Sequence, residues 1–254
     1  MRWYPRRLRH GEEATLVEHL GELRARLVIC LVAVGIAFAF TFAFHEHIVD
    51  WLRDPLPDDK KLVTLGPLEP FTTSIKVSLY AAFAIALPVV LYQLWAFLAP
   101  AIEEHMQRVV SVFVAIATGL FAGGVAFAYF VVLPRALDFL TSYDDELYEI
   151  QIRASYYYSF VSLVLVGLGL VFEMPVFILA LVRLQVLTSA RLRRNRRLAI
   201  FLMFLVAVLL PTVDPVSLAF EVVPLLLLFE LSIWLAVVME RRWERAGVLW
   251  PSTE

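Results

Sequence analysis

The chain has 254 residues, of which 61% are hydrophobic and only 18% charged, and its mean hydropathy is +0.76. That balance excludes a soluble globular domain and describes an integral membrane protein, with no stretch able to bury a separate water-soluble core. The net charge of -2 decides little, and a single cysteine, Cys30, excludes both an intrachain disulfide scaffold and a cysteine-based metal cage.

Near the N-terminus, "YPRRLRHGEEA" holds an arginine pair, but no apolar core follows until Leu27 and acidic Glu12, Glu13 and Glu18 intervene. It does not read as an export signal, and the first apolar run reads as an anchor. In "TLVEHLGELRARL", residues 15–27, Thr15 and Glu18 form a capping-box pattern, while Leu16, Leu20, Leu23 and Leu27 recur on one helical face. This predicts an amphipathic helix running into the first span. Its other side carries Glu18, His19, Glu22, Arg24 and Arg26, with Glu22 and Arg26 at the i, i+4 spacing of a surface ion pair.

Six apolar segments follow. Residues 28–44 carry no charge, 77–98 contain Pro88, and 109–133 and 160–182 each approach the ~20 residues that cross a bilayer as a helix. Residues 198–210 number only 13 before Pro211, and at ~1.5 Å per residue they reach roughly 20 Å against a hydrocarbon core of ~30 Å. The sixth, 216–239, is interrupted by Glu221, Pro224 and Glu230. The fifth and sixth spans are therefore expected to be short, with local membrane thinning or shielding by a partner helix on that side. Continuous apolar runs, without the alternation of barrel strands, specify helices, so the predicted fold class is an all-α integral membrane protein of six transmembrane helices.

Orientation follows from charge. Sixteen of the 22 Lys and Arg residues lie in the N-terminal segment, the second-to-third and fourth-to-fifth connections and the C-terminal tail. The positive-inside rule then places both termini in the cytoplasm. The expected organisation is one membrane domain, with residues 1–27 as a cytoplasmic N-terminal segment, 28–239 as the six-span bundle and 240–254 as a cytoplasmic tail.

Catalytic and metal chemistry find little support. His10, His19, His45, His47 and His105 sit at or beyond span ends, and His45 and His47 flank Glu46 without a third ligand at a metal-site spacing. There is no Gly-rich phosphate loop and no Ser/His pair at matching membrane depth. No enzyme activity, catalytic residue, metal or cofactor is expected. The intramembrane acids Glu173, Glu221 and Glu230, with Pro88, Pro175 and Pro224, make a small proton- or ion-coupled transporter the alternative reading. Against it, the two halves show no evident repeat, and a transporter has no need of an acid-bearing cytoplasmic helix. In "LGLVFEMPVFIL", Glu173 falls near the middle of the fourth span, where an ionised carboxylate costs about 2.5 to 3.5 kcal/mol. Pro175 removes a backbone hydrogen bond to Val171, which predicts a kink beside the acid.

Five motifs, "HLGELRARL", "YQLWAFLAPAI", "FAYFVVLPRALDFL", "SYYYSFV" and "FEMPV", resemble in order and spacing those of TatC, the six-span receptor subunit of the twin-arginine protein translocase. The resemblance covers roughly residues 16–240. It implies a cup-like bundle in the cytoplasmic membrane that recognises folded proteins bearing twin-arginine signal peptides and passes them across, driven by the proton motive force. The implied partners are those signal peptides, the lipid bilayer and small single-span TatA-like and TatB-like subunits in homo- and hetero-oligomers, with no nucleic acid. Carried over, Glu22 is the signal-binding carboxylate with Arg24 beside it, and Phe97 is an aromatic of the first cytoplasmic connection. A guanidinium pair suits rigidly held carboxylates and aromatic faces. Where many members have Glu near the end of that connection, this chain has Met106 and moves its acids to Glu103 and Glu104, of which Glu103 lies about one helical turn from Met106. In "LLPTVDPVSLAF", Thr212, Asp214 and Ser217 are implied at a docking site for partner helices, with Leu218 where some members have an amide. Glu230 joins that partner-facing set, and Glu173 is implied on the concave side of the cup.

Overall fold

The computed structural model describes residues 16–57, 60–98, 107–143, 147, 150–209 and 215–245. These form helices α1 (Leu16–Ala43), α2 (His45–Arg53), α3 (Glu69–Leu98), α4 (Gln107–Phe127), α5 (Leu133–Ser142), α6 (Ala154–Phe172), α7 (Met174–Arg183), α8 (Ser189–Arg194), α9 (Arg196–Leu209) and α10 (Pro215–Arg245). Helix satisfies backbone hydrogen bonds within one segment, as hydrocarbon demands. Two short strands, β1 (Leu62–Val63) and β2 (Ile152–Arg153), pair in parallel, Leu62 with Ile152 and Val63 with Arg153. Among the described residues, five helical runs are long and apolar enough to cross a membrane: His19–Ala43, Glu69–Phe97, Ser111–Ser142, Ala154–Arg183 and Ser217–Arg242.

Helix α1 joins the predicted amphipathic segment and the first apolar run without a break. The face it turns to the bundle is the polar one. Leu20, Leu23 and Leu27 are exposed, while Glu22, Arg26, Cys30, Ala33, Ala37 and Thr41 form a stripe of sheltered positions along the helix. Small residues then let α1 and α3 approach closely: Ala37 packs with Ala82 and Ala86, and Thr41 Oγ1 donates to the Ser78 carbonyl at 2.8 Å.

At the far end of these helices the connections are tied together. Glu69, in the first turn of α3, accepts from the Leu65 N–H at 2.9 Å, Arg153 Nε at 2.9 Å and the Ser155 N–H at 3.1 Å. One carboxylate thus holds the β1 loop to the start of α6, beside the strand pair. Helix α2 is held by two tyrosines, Tyr129 donating to the Trp51 carbonyl and Tyr157 to the Leu52 carbonyl, each at 2.9 Å. Trp51 stacks on Tyr129 with centroids 4.2 Å apart.

The third run changes pitch. A π turn at Ala128–Val132 separates α4 from α5, directly before Pro134, whose missing N–H interrupts the regular ladder. Helices α4 and α6 meet through glycine: a Cβ on Gly124 would lie 2.9 Å from the Gly169 Cα and 2.8 Å from the Phe172 Cβ. The fourth run breaks as Pro175 predicts. Helix α6 stops at Phe172 and α7 resumes at Met174, with the Glu173 N–H donating to the Leu170 carbonyl at 3.1 Å. Helix α7 ends on Gln185, whose φ of 59° is left-handed; Val186 N–H bonds to the Leu181 carbonyl and Gln185 N–H to the Val182 carbonyl, both at 3.0 Å.

The last two runs correct one expectation. Helix α9 is short, 14 residues, or about 21 Å. The sixth is not: α10 continues for 31 residues through Pro224, about 46 Å. The interruption foreseen at Glu221 and Pro224 does not occur because packing supports the helix on both sides of it. Leu225, Phe229 and Ile233 of α10 form a cluster with Met203 and Ala207 of α9 and with Met174 and Ile178 of α7.

Candidate functional site

The polar stripe of α1 becomes a site where it meets the last turns of α3. Arg26 Nε and Nη2 both donate to Glu22 Oε1, at 3.0 and 2.5 Å, and Arg26 Nη1 donates to Gln93 Oε1 at 3.2 Å. One turn before Glu22, the His19 ring stacks on Phe97 of α3 with centroids 4.4 Å apart. The i, i+4 ion pair expected from spacing is therefore present, but it lies in a seam between two helices and not on a solvated face. The Glu22 and Arg26 side chains are only 13% and 21% exposed. In such shelter a charge-assisted hydrogen bond is worth more than in open water.

Glu22 and Phe97, far apart in sequence, are brought to one seam; Arg24 is exposed and off it. Glu103, Glu104 and Met106 lie outside the described residues. Sequence reasoning did not single out Gln93. Its signal was available: an amide in an apolar helix four residues before Phe97, hence on the same face. The seam presents one carboxylate oxygen already serving a guanidinium, and an aromatic face beside it. A carboxylate and an aromatic ring held in one seam are the groups that suit planar cations.

A second set of polar groups lies deeper. Glu173, at the break between α6 and α7, is fully buried, and neither carboxyl oxygen has a hydrogen-bond partner among the described residues. Ser217 and Glu221, one turn apart on α10, are also fully buried. Ser217 therefore lies against the chain itself, and Ser232 of the same helix is fully buried as well. Glu230 sits on the opposite, exposed side and pairs with Arg196 at the start of α9, Nη2 to Oε2 2.8 Å. Thr212 and Asp214 lie outside the described residues. Farther along α10, Glu240 accepts from both the N–H (2.8 Å) and the hydroxyl of Ser189, fastening α8 to α10. Neither contact was visible in sequence.

Comparison with known proteins gives consistent matches. The family model described as "Sec-independent protein translocase protein (TatC)" matches residues 18–224. The chain is 35% identical over 231 residues to "Sec-independent protein translocase protein TatCd" of Bacillus subtilis (strain 168), covering 91% of this chain and 95% of the relative. It is 37% identical over 236 residues to "Sec-independent protein translocase protein TatC" of Aquifex aeolicus (strain VF5), covering 89% and 96%. Among solved structures it is similar to "Crystal Structure of Twin Arginine Translocase Receptor- TatC", with a TM-score of 0.76 and 36% identity over 87% of this chain and 98% of that one.

Proposed function

The chain belongs to the TatC family, and from that premise we propose that it is the receptor and core component of a twin-arginine translocase, a multi-pass protein of the cell membrane that binds the signal peptides of folded precursors and supports their export by the proton motive force. The observation that carries the reading to named residues is the α1–α3 seam, where Glu22 holds Arg26 one turn from the stacked His19 and Phe97 rings. One signal guanidinium docks on Glu22, beside the His19–Phe97 stack, and the second meets Glu103 or Glu104 in the connection that follows Phe97. Arg24, exposed beside the seam, serves the same site from its rim. Binding, not bond making, is the chemistry, and the protein is a non-enzymatic component.

The proposed arrangement has six spans in a single cup-like membrane domain, both termini in the cytoplasm and the short α9 as the fifth span. A helix of about 21 Å in a ~30 Å core draws the bilayer in on that side. Exposed apolar side chains such as Phe201, Phe204 and Leu205 of α9 and Leu227 and Leu231 of α10 offer that region to small single-span partner helices, with Thr212, Asp214 and Glu230 as its polar contacts.

Two measurements test this. The full chain should copurify with small partner subunits and with a precursor carrying its Arg–Arg pair, and should lose the precursor alone when the pair becomes Ala–Ala; equal recovery of both precursors overturns the receptor reading. In a Cys30→Ser background, single cysteines at Arg24 and Arg194 should be labelled only from the cytoplasm, and those at Lys61 and Leu147 only from outside. External labelling at Arg194 sinks the six-span arrangement.

A further inference from the structure

We propose, resting on the receptor reading above, that Arg26 sets the arginine specificity of the signal site: it is an internal guanidinium that an incoming arginine displaces from Glu22 and a lysine does not. The carboxylate assigned to the signal peptide is not vacant in the resting chain. Arg26 spends two N–H groups on Glu22 Oε1 and a third on Gln93 Oε1, so its side chain is held from both α1 and α3.

Charge balance decides what a ligand must do. If Arg26 stayed in place, the incoming guanidinium would bring a second cation to one carboxylate in a seam where the Glu22 side chain is 13% exposed. Like charges a few ångströms apart in sheltered surroundings repel by an amount no single hydrogen bond offsets. Displacement avoids this, and Gln93 supplies the landing point. Arg26 already touches it through Nη1, so Nε and Nη2 can leave Glu22 while that bond persists. Gln93 is neutral and releases Glu22 without competing for it.

The exchange then discriminates by shape. Replacing one guanidinium by another conserves the planar fork, so the remaining contacts of the signal decide the outcome in its favour. An ammonium is a compact, strongly hydrated point charge without the fork. It must give up its hydration to evict a group that binds the same carboxylate better. Arg26 thereby acts as a threshold that arginine passes and lysine fails.

The test uses the full chain in proteoliposomes and two fluorescent signal peptides identical except for an Arg–Arg or a Lys–Lys pair. In Arg26→Gln the Lys–Lys peptide should bind at least tenfold more tightly than to the unsubstituted chain, about 1.4 kcal/mol, while the Arg–Arg peptide binds no more weakly, so the selectivity ratio collapses. If Arg26 merely holds Glu22 in position, both peptides weaken together and the ratio is preserved, which overturns the proposal. Gln93→Leu is the second variant, since it removes the landing point and leaves the ion pair intact. It should weaken Arg–Arg binding several-fold in the unsubstituted chain and have no effect in the Arg26→Gln background; equal weakening in both backgrounds also overturns the proposal. Glu22→Ala separates the two levels of inference: undiminished binding of the Arg–Arg peptide to that variant means that the receptor site itself lies elsewhere.

Discussion

Glu22→Lys abolishes crosslinking of a twin-arginine precursor while leaving membrane insertion intact. The substitution removes the carboxylate that anchors the seam and sets an ammonium beside Arg26. Hydrogen bonds to charged groups contribute about 1.5 to 3 kcal/mol each, and the reversed charge adds repulsion against the signal pair, so the expected loss is at least about 100-fold in affinity. Insertion survives because Glu22 precedes the charge-free run of residues 28–44, and the α1–α3 contact below it rests on Ala37, Ala82, Ala86 and Thr41. Photocrosslinking of a precursor to membranes carrying each variant checks both halves, and crosslinking at the unsubstituted level refutes the assignment. Joint replacement of Glu103 and Glu104 by Ala should give a graded loss. An unchanged signal there would mean that these acids do not take over from the one absent at Met106.

What the sequence disclosed about this molecule and what it concealed divide along a physical line. Apolar segments, the break at Pro175 and the spacing of Glu22 and Arg26 are local properties, and each is realised, in α1 to α10, at Glu173 and in the seam. Which face of a helix turns inward is not local. The leucine stripe of α1 was readable, but Leu20, Leu23 and Leu27 stay exposed, and the Glu22–Arg26 side packs on α3 instead through the Arg26–Gln93 bond. Gln93, Ser189 and Glu240 acquire meaning only through partners more than 50 residues away, as does the Glu69 carboxylate that joins Leu65 to Arg153 and Ser155. The misjudged length of α10 has a related cause. Proline and two acids read as interruptions in a one-dimensional profile, whereas α7 and α9 flank the helix and Glu221 is enclosed.

Glu173→Leu should abolish transport while raising the thermal stability of the protein, and Glu173→Gln should retain transport at least in part. A fully buried carboxyl group with no hydrogen-bond partner on either oxygen among the described residues is a cost to the fold, of order 1 to 3 kcal/mol for an unsatisfied polar group. Leucine, of similar bulk, removes that cost and fills the space, so the unfolding midpoint in detergent should rise. Nothing in packing then accounts for an acid at the one place where the fourth run is broken. The break itself supplies the reason: between α6 and α7 the helical ladder is interrupted and backbone groups at Glu173 are paired in a tighter turn, so a polar group of a partner helix or a passing chain can be received there at less cost than along an intact helix. Glutamine keeps the shape and the hydrogen-bonding capacity of an uncharged carboxyl, and leucine keeps neither. Precursor binding should be near normal in both variants, because the seam at Glu22, Gln93 and Phe97 is built from α1 and α3 alone. Export assays on membranes matched for protein level, with thermal unfolding in parallel, separate the possibilities. Greater stability with lost export marks Glu173 as a group held against the interest of the fold, whereas full export by the leucine variant reduces it to a tolerated residue of the core.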